Sequence, residues 1–229
     1  MKLELHPSRQ KILPMSNGID FLGYVVRPSH LLLCRRVVAK FKQSVAAYTS
    51  EMALREGEMV NWVFPPEKIN RLHSIVQSYL GLFRHGSCQR LAAAMFYKFA
   101  VLRLLFERRD LRVKKRWILP FRPKNLYTQF AFFRSRFRGR ILFQVGCYLE
   151  FFNRDAIWAA KALGMARIPP RKGFSARCGI HQSRLETLNR KLSGTELLFV
   201  FQTGKTAGNI AQRFPARIDV RVGNWRGLY

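Results

Sequence analysis

Tyr148 and Glu150, two residues apart, have the types and spacing to probe a nucleic-acid duplex. An aromatic ring can wedge at a base step, and a carboxylate beside it can accept a hydrogen bond from a base. A second grouping is basic. Arg134, Arg136, Arg138 and Arg140 alternate and are interleaved with Phe132, Phe133 and Phe137. Such a strip can follow a phosphate backbone while its aromatics pack on protein or on bases; the plainer reading is a solvated basic linker. A third set, Arg35, Arg36, Lys40 and Lys42, forms the basic face of a helical pattern.

Other chemistries lack their residues. The acids are few and dispersed: Asp20 and Asp110 have no carboxylate neighbours in sequence, and no pair of aspartates is placed to hold two Mg²⁺ ions. No catalytic residue is expected. Cys34, Cys88, Cys147 and Cys178 make no Cys-x-x-Cys pair, and none of the five histidines stands at zinc spacing with them. Neither a structural metal nor a disulfide framework is expected, and a cytoplasmic setting fits. Gly204-Lys205-Thr206 would need a glycine at position 199 to end a phosphate-binding loop, and that residue is Phe199. No ATP site and no cofactor are expected.

The chain of 229 residues carries 41 Lys plus Arg against 13 Asp plus Glu, a net charge of +28, so its first expected partner is a polyanion, nucleic acid before membrane. No apolar run approaches the roughly 18 residues of a spanning helix. The longest, residues 91–106, is broken by Lys98 and Arg103. Hydrophobic content of 48% is ample for real cores.

The elements that position these residues read as α+β. Short strands are expected at 2–6, 11–13 and 19–26 around a Ser16-Asn17-Gly18 turn. Helical spacing predicts helices over 34–56, over about 66–83 with Pro66 in the first turn, and over 87–108, which together make a three-helix bundle. Residues 108–140 hold 12 Lys or Arg and one acid, and Pro120 and Pro123 forbid one continuous helix there. Beyond them, 140–145 suits a buried strand. A helical pattern runs from 150 to 163 and stops at Gly164, 167–172 is a loop, and strands follow at 197–202 and 217–222.

Two resemblances add to this reading. Leu142-Phe143-Gln144-Val145-Gly146-Cys147-Tyr148-Leu149-Glu150-Phe151-Phe152, then Asp155-Ala156 and Ala159-Ala160-Lys161-Ala162-Leu163-Gly164-Met165, resembles the amino-terminal mismatch-recognition domain of the MutS family of DNA repair proteins. Cys178-Gly179-Ile180-His181 with the leucines after it is similar to a later segment of that domain, so the likeness covers about residues 132–223. It implies that Tyr148 wedges beside a mispaired base and that Glu150 bonds to it. Tyr148 and Cys147 stand where the family has Phe and Asp. The family's ATPase region is absent.

The second resemblance lies upstream. Leu5-His6-Pro7 and Lys11-Ile12, followed by Gly18-Ile19-Asp20-Phe21-Leu22-Gly23-Tyr24, is similar to the palm end of bacterial reverse transcriptases of the group II intron and diversity-generating retroelement type. Ser78 through Gly81 to His85 resembles part of their thumb. This likeness implies a primer grip at Phe21, Leu22, Gly23 and Tyr24. It also implies phosphate contacts by Arg35, Arg36 and Lys40, joined by Arg134, Arg136, Arg138 and Arg140. The implied division is a palm end and thumb at 1–108, a basic linker at 109–131 and a MutS-like mixed α/β region at 132–229. Without the Tyr-x-Asp-Asp of the family, the chain is expected to be the nucleic-acid-binding carboxy-terminal portion of an RNA-directed DNA polymerase, inactive alone. It would bind DNA duplex, RNA or DNA–RNA hybrid, beside a separate polymerase subunit that supplies fingers and palm. The alternative is a non-catalytic docking protein that holds RNA or DNA nonspecifically and pairs with that subunit.

Overall fold

The computed structural model describes residues 14–119, 123–207 and 210–222. The strands expected at 2–6 and 11–13, the Leu5-to-Ile12 motif and Pro120 lie outside the described residues.

The class is α+β. A three-stranded meander opens the chain: β1 (Ile19–Phe21), β2 (Tyr24–Val26) and β3 (Leu31–Leu33). Leu22 and Gly23 both take positive φ, 50° and 88°, as the two-residue hairpin turn between β1 and β2 requires. One apolar run of sequence is thus two strands, and its glycine marks the turn.

Helix α1 (Arg35–Met52) buries Phe41, Val45 and Met52. It stops at Met52, short of the expected residue 56, because a hairpin of β4 (Ala53–Glu56) and β5 (Met59–Val63) follows at once. Helix α2 (Pro66–His85) starts where Pro66 predicts and buries Ile69, Leu72, Val76, Leu80 and Phe83 on one stripe. The expected third helix is broken. Extended backbone at Phe99 separates α3 (Gln89–Lys98) from α4 (Ala100–Leu105), and 106 onward turns into β6 (Phe106–Arg109), paired with β7 (Arg112–Lys115).

The segment expected as a basic linker is built into the core. Trp117 is 1% exposed and donates its indole N–H to the Leu104 carbonyl at 2.7 Å. Helix α5 (Leu126–Arg134) opens on a capping box, in which Asn125 accepts from the Thr128 N–H at 2.9 Å and the Thr128 hydroxyl oxygen accepts from the Asn125 N–H at 3.3 Å. Phe130, Phe132 and Phe133 of α5 are buried.

Strand β8 (Arg140–Val145) matches its expected bounds. The next element is a strand, β9 (Tyr148–Phe152), joined to β8 by a two-residue turn at Gly146 and Cys147. Helix α6 therefore covers Arg154–Leu163, four residues shorter at its start than the periodicity predicts, and closes on Gly164 in the left-handed conformation. After it come β10 (Arg167–Ile168), β11 (Arg177–His181), α7 (Leu185–Lys191), β12 (Leu197–Ala207) and β13 (Ile210–Arg221). Gly204, Lys205 and Thr206 lie within β12, not at a strand–helix turn.

Among the described residues, eight of these strands form one sheet in the order β10-β11-β9-β8-β12-β13-β5-β4, with β8 and β12 its only parallel neighbours. Its two faces explain why its central strands are apolar throughout. Ile141, Phe143, Leu198, Val200, Ile218 and Trp62 join α1–α5 in a large core. Leu142, Leu149, Phe151, Leu197 and Phe199 join α6 and α7 in a smaller one. The boundary expected between residues 108 and 132 separates nothing here. β5 from the expected thumb region is bonded to β13 from Met59–Arg221 through Val63–Arg217, and one core runs from Leu33 to Val220.

Candidate nucleic-acid interface

The basic strip at 134–140 is divided by the fold. Asp155, in the first turn of α6, is fully buried and accepts from Arg134, from Arg140 Nη1 at 3.0 Å and from the Ile141 N–H at 3.0 Å. Arg134 also donates to the Gly139 carbonyl at 2.7 Å. Burial pulls its guanidinium below the ordinary value, and the Asp155 carboxylate opposes that shift. Arg136 stacks on the Phe132 ring at 3.8 Å and pairs with Glu107 at 3.7 Å. Arg134 therefore ties the end of α5 to the start of α6, and Arg136 ties it to β6; phosphate contact is not their evident task.

Arg138 and Arg140 have another setting. With Arg154 and Arg221 they line a polar cavity of about 590 Å³ that also takes in Trp158, Thr195 and Glu196. Gly139 makes the approach possible, since a Cβ there would lie 2.6 Å from the Phe137 ring and 2.8 Å from the Glu196 carbonyl oxygen. Arg140 lies over the Trp158 ring at 4.8 Å, and Arg154 donates to the Arg138 carbonyl at 3.0 Å. Arginines gathered in this way, with Arg140 also paired to Asp155 at 3.0 Å and Trp158 partly exposed among them, can donate paired N–H groups to phosphate oxygens. Arg154 and Arg221 stand apart from the strip in sequence. Only the strand order β8-β12-β13 and the start of α6 beside β8 bring them to it.

Tyr148 and Glu150 are separated by burial. Tyr148 is 50% exposed at the start of β9, edge-on to His181 of β11 with ring centroids 5.8 Å apart. Glu150 is 3% exposed and its carboxylate is held by Arg177, Nε to Oε2 at 3.0 Å and Nη2 to Oε1 at 2.7 Å. Gly179, its cross-strand neighbour, leaves the room: a Cβ there would come within 3.0 Å of Glu150 Cγ. The expected corner of wedge and free acid is thus an exposed ring beside an acid already committed to an arginine.

The other predicted residues lie in the amino-terminal half, where Gly23 is buried, Tyr24 partly so and the rest are exposed. Phe21 and Leu22, 61% and 79% exposed, form the tip of the β1–β2 hairpin. Gly23 accepts through its carbonyl from the Cys34 N–H at 2.9 Å, and Tyr24 donates its hydroxyl to the Leu82 carbonyl at 3.0 Å. Arg35, Arg36 and Lys40 are exposed on the first turns of α1, with Arg36 3.1 Å from Asp20. Among the described residues, no group of three or more His, Cys, Asp or Glu side chains could hold a metal, and no helix is long and apolar enough to cross a membrane. No protein-family model matches this chain, and no curated protein sequence matches it.

Proposed function

We propose that this chain binds nucleic acid through phosphate contacts and is non-catalytic alone, acting as the carboxy-terminal portion of a retroelement reverse transcriptase with a mismatch-domain-like region built into it. The observation that carries the reading is the cavity where Arg138, Arg140, Arg154 and Arg221 converge on a protein of net charge +28. Phosphate contacts fix position and carry no sequence information, which suits a grip on template–primer duplex. The sequence motifs at Phe21–Tyr24 and at 142–165 support the assignment to retroelement enzymes. The exposed hairpin tip and the basic start of α1 support such a grip. Tyr148 is the wedge of this reading, and it works without a free carboxylate from Glu150. A mispaired step costs less to unstack, so an exposed ring alone favours it.

The salt dependence of binding to a matched DNA duplex and a DNA–RNA hybrid tests the reading. Affinity should fall steeply with salt, and Arg154→Ala or Arg221→Ala should each lower the log–log slope by about 1. Binding that is weak and insensitive to salt, or slopes unchanged by both substitutions, would sink the phosphate assignment.

A further inference from the structure

The pairing of β12 with β13 is interrupted near its far end. Gln202 pairs with Arg213 and Thr206 with Ala211, so Thr203, Gly204 and Lys205 all stand opposite Gln212. Gly204 takes φ 76°, the left-handed backbone that such a bulge favours. The bulge leaves Thr203 and Lys205 exposed at the edge of a cavity of about 530 Å³. The Gly204-Lys205-Thr206 sequence that cannot end a phosphate-binding loop thus puts its lysine beside an opening.

The inner wall of this cavity holds an acceptor without a donor. Gln129 of α5 is 0% exposed. Its Nε2 donates to the Ala211 carbonyl at 3.0 Å, and Arg213 Nη1 donates to the same carbonyl at 2.9 Å. Turning the amide over would set oxygen against oxygen, so its orientation is fixed, and Oε1 is left buried without a hydrogen-bond partner. Arg213 also lines the cavity and is 6% exposed. Its other bond, Nε to the Gln144 carbonyl at 2.7 Å, is again to a neutral group. Burial first, then Arg171, pulls its guanidinium down to about 10, with Glu150 opposing. Among the described residues no acid lines the cavity, and Ile118, Leu119 and Phe214 give it apolar walls.

These features set what a ligand must carry: an N–H or O–H donor for Gln129, an apolar ring for the walls and an anion for the two cations. The volume is in the middle of the range for small-molecule sites. A fatty acid has the anion and lacks the inner donor. A nucleotide has all three, since every nucleobase bears an N–H, and a doubly charged phosphate suits Arg213 with Lys205 better than a carboxylate does. We propose that this cavity binds a nucleotide, free or unpaired within a strand, with its base toward Gln129 and its phosphate toward Lys205. The site shares no lining residue with the arginine cavity and does not depend on the phosphate reading above.

Calorimetric titration of the full chain with the four ribonucleoside 5′-monophosphates, each compared with ribose 5-phosphate, tests the site. At least one nucleotide should bind on the order of tenfold more tightly than the baseless sugar phosphate. Gln129→Leu, which keeps the bulk and removes the acceptor, should lower that affinity on the order of tenfold and leave ribose 5-phosphate within about twofold. Ile118→Ser, at an exposed position, is a second route to the same loss if Gln129→Leu does not fold, as judged by thermal melting. Homodecamers of the same nucleotides separate the two sources. A loss in both substitutions seen with decamers and not with monomers assigns the site to a strand. Monomers that bind no better than ribose 5-phosphate, with decamers indifferent to both substitutions, overturn the site. Tighter binding of indole-3-acetate, which has a ring, an N–H and a carboxylate but no phosphate, overturns it too. Neither result would alter the salt slopes of duplex binding or their response to Arg154→Ala and Arg221→Ala, so the phosphate reading stands or falls separately.

Discussion

Arg177 holds Glu150 by both carboxylate oxygens, at 2.7 and 3.0 Å, from the neighbouring strand and almost wholly out of water. Forked pairing of this kind joins charge to geometry. Removing one partner leaves the other buried and uncompensated. Glu150→Ala should therefore cost roughly 3–5 kcal/mol in urea unfolding, far more than an exposed ion pair would. Tyr148→Ala, at a half-exposed position, should cost little stability and instead lower the preference for mismatched over matched duplex. Equal preference before and after that change would remove Tyr148 from the interface.

Asp155 should behave as a second keystone. It is fully buried beneath Arg134 and Arg140 and accepts the Ile141 N–H. Asp155→Ala strands a half-buried guanidinium and a backbone donor, so a loss of roughly 3–5 kcal/mol is expected by chemical denaturation. Asp155→Asn keeps one acceptor and should retain more stability. It also removes a negative charge below the arginine cavity, so phosphate binding by this variant should tighten.

Asp219 predicts a pH dependence of unusual sign. Burial raises its pKa above the ordinary value, with Arg217 opposing. A carboxyl whose folded value is raised binds its proton more tightly when folded. Its contribution is full below the unfolded value, about 4, and is lost as pH rises through the raised folded value. The stability of Asp219→Asn relative to the wild type should therefore improve as pH climbs out of the acid range. A difference that is flat with pH, from paired denaturation curves, would remove Asp219 from that role.

Cysteine reactivity gives an independent view of the wedge. Cys34, Cys88 and Cys178 are buried, and burial pushes the Cys178 thiol up to about 11. Cys147 is exposed in the turn beside Tyr148. A thiol reagent near pH 8 should label one equivalent quickly and three slowly, and Cys147→Ser should abolish the fast phase. Bound duplex should slow that phase if Tyr148 enters it.

The sequence is most legible where local chemistry and tertiary demand agree. Pro66 starts α2, Gly164 ends α6, and the apolar run at 140–145 is a central strand buried on both faces. It misleads where packing overrides propensity. Residues 53–56, Ala-Leu-Arg-Glu, favour a helix, yet they form β4 because the chain turns at Gly57 and β5 bonds to β13. Residues 150–152 continue a helical pattern, yet they complete β9 between β8 and β11. For the site, the four arginines at 134, 136, 138 and 140 look alike in sequence, and only tertiary partners separate them: Asp155 for Arg134 and Arg140, Phe132 and Glu107 for Arg136. Arg154 and Arg221 depend on strand order, which no local pattern encodes.

Because β5 covers the end of β13 from Arg217 to Arg221, the last hundred residues cannot be regarded as a cassette moved intact between hosts. Severed from the hairpin, β13 would show a row of bare N–H and C=O groups, an adhesive margin seeking any extended peptide. The hairpin at 53–63 therefore acts as a chaperoning strand supplied in advance by the earlier half of the chain. Lineages that shuffle this region must carry both pieces or evolve a new border for the sheet.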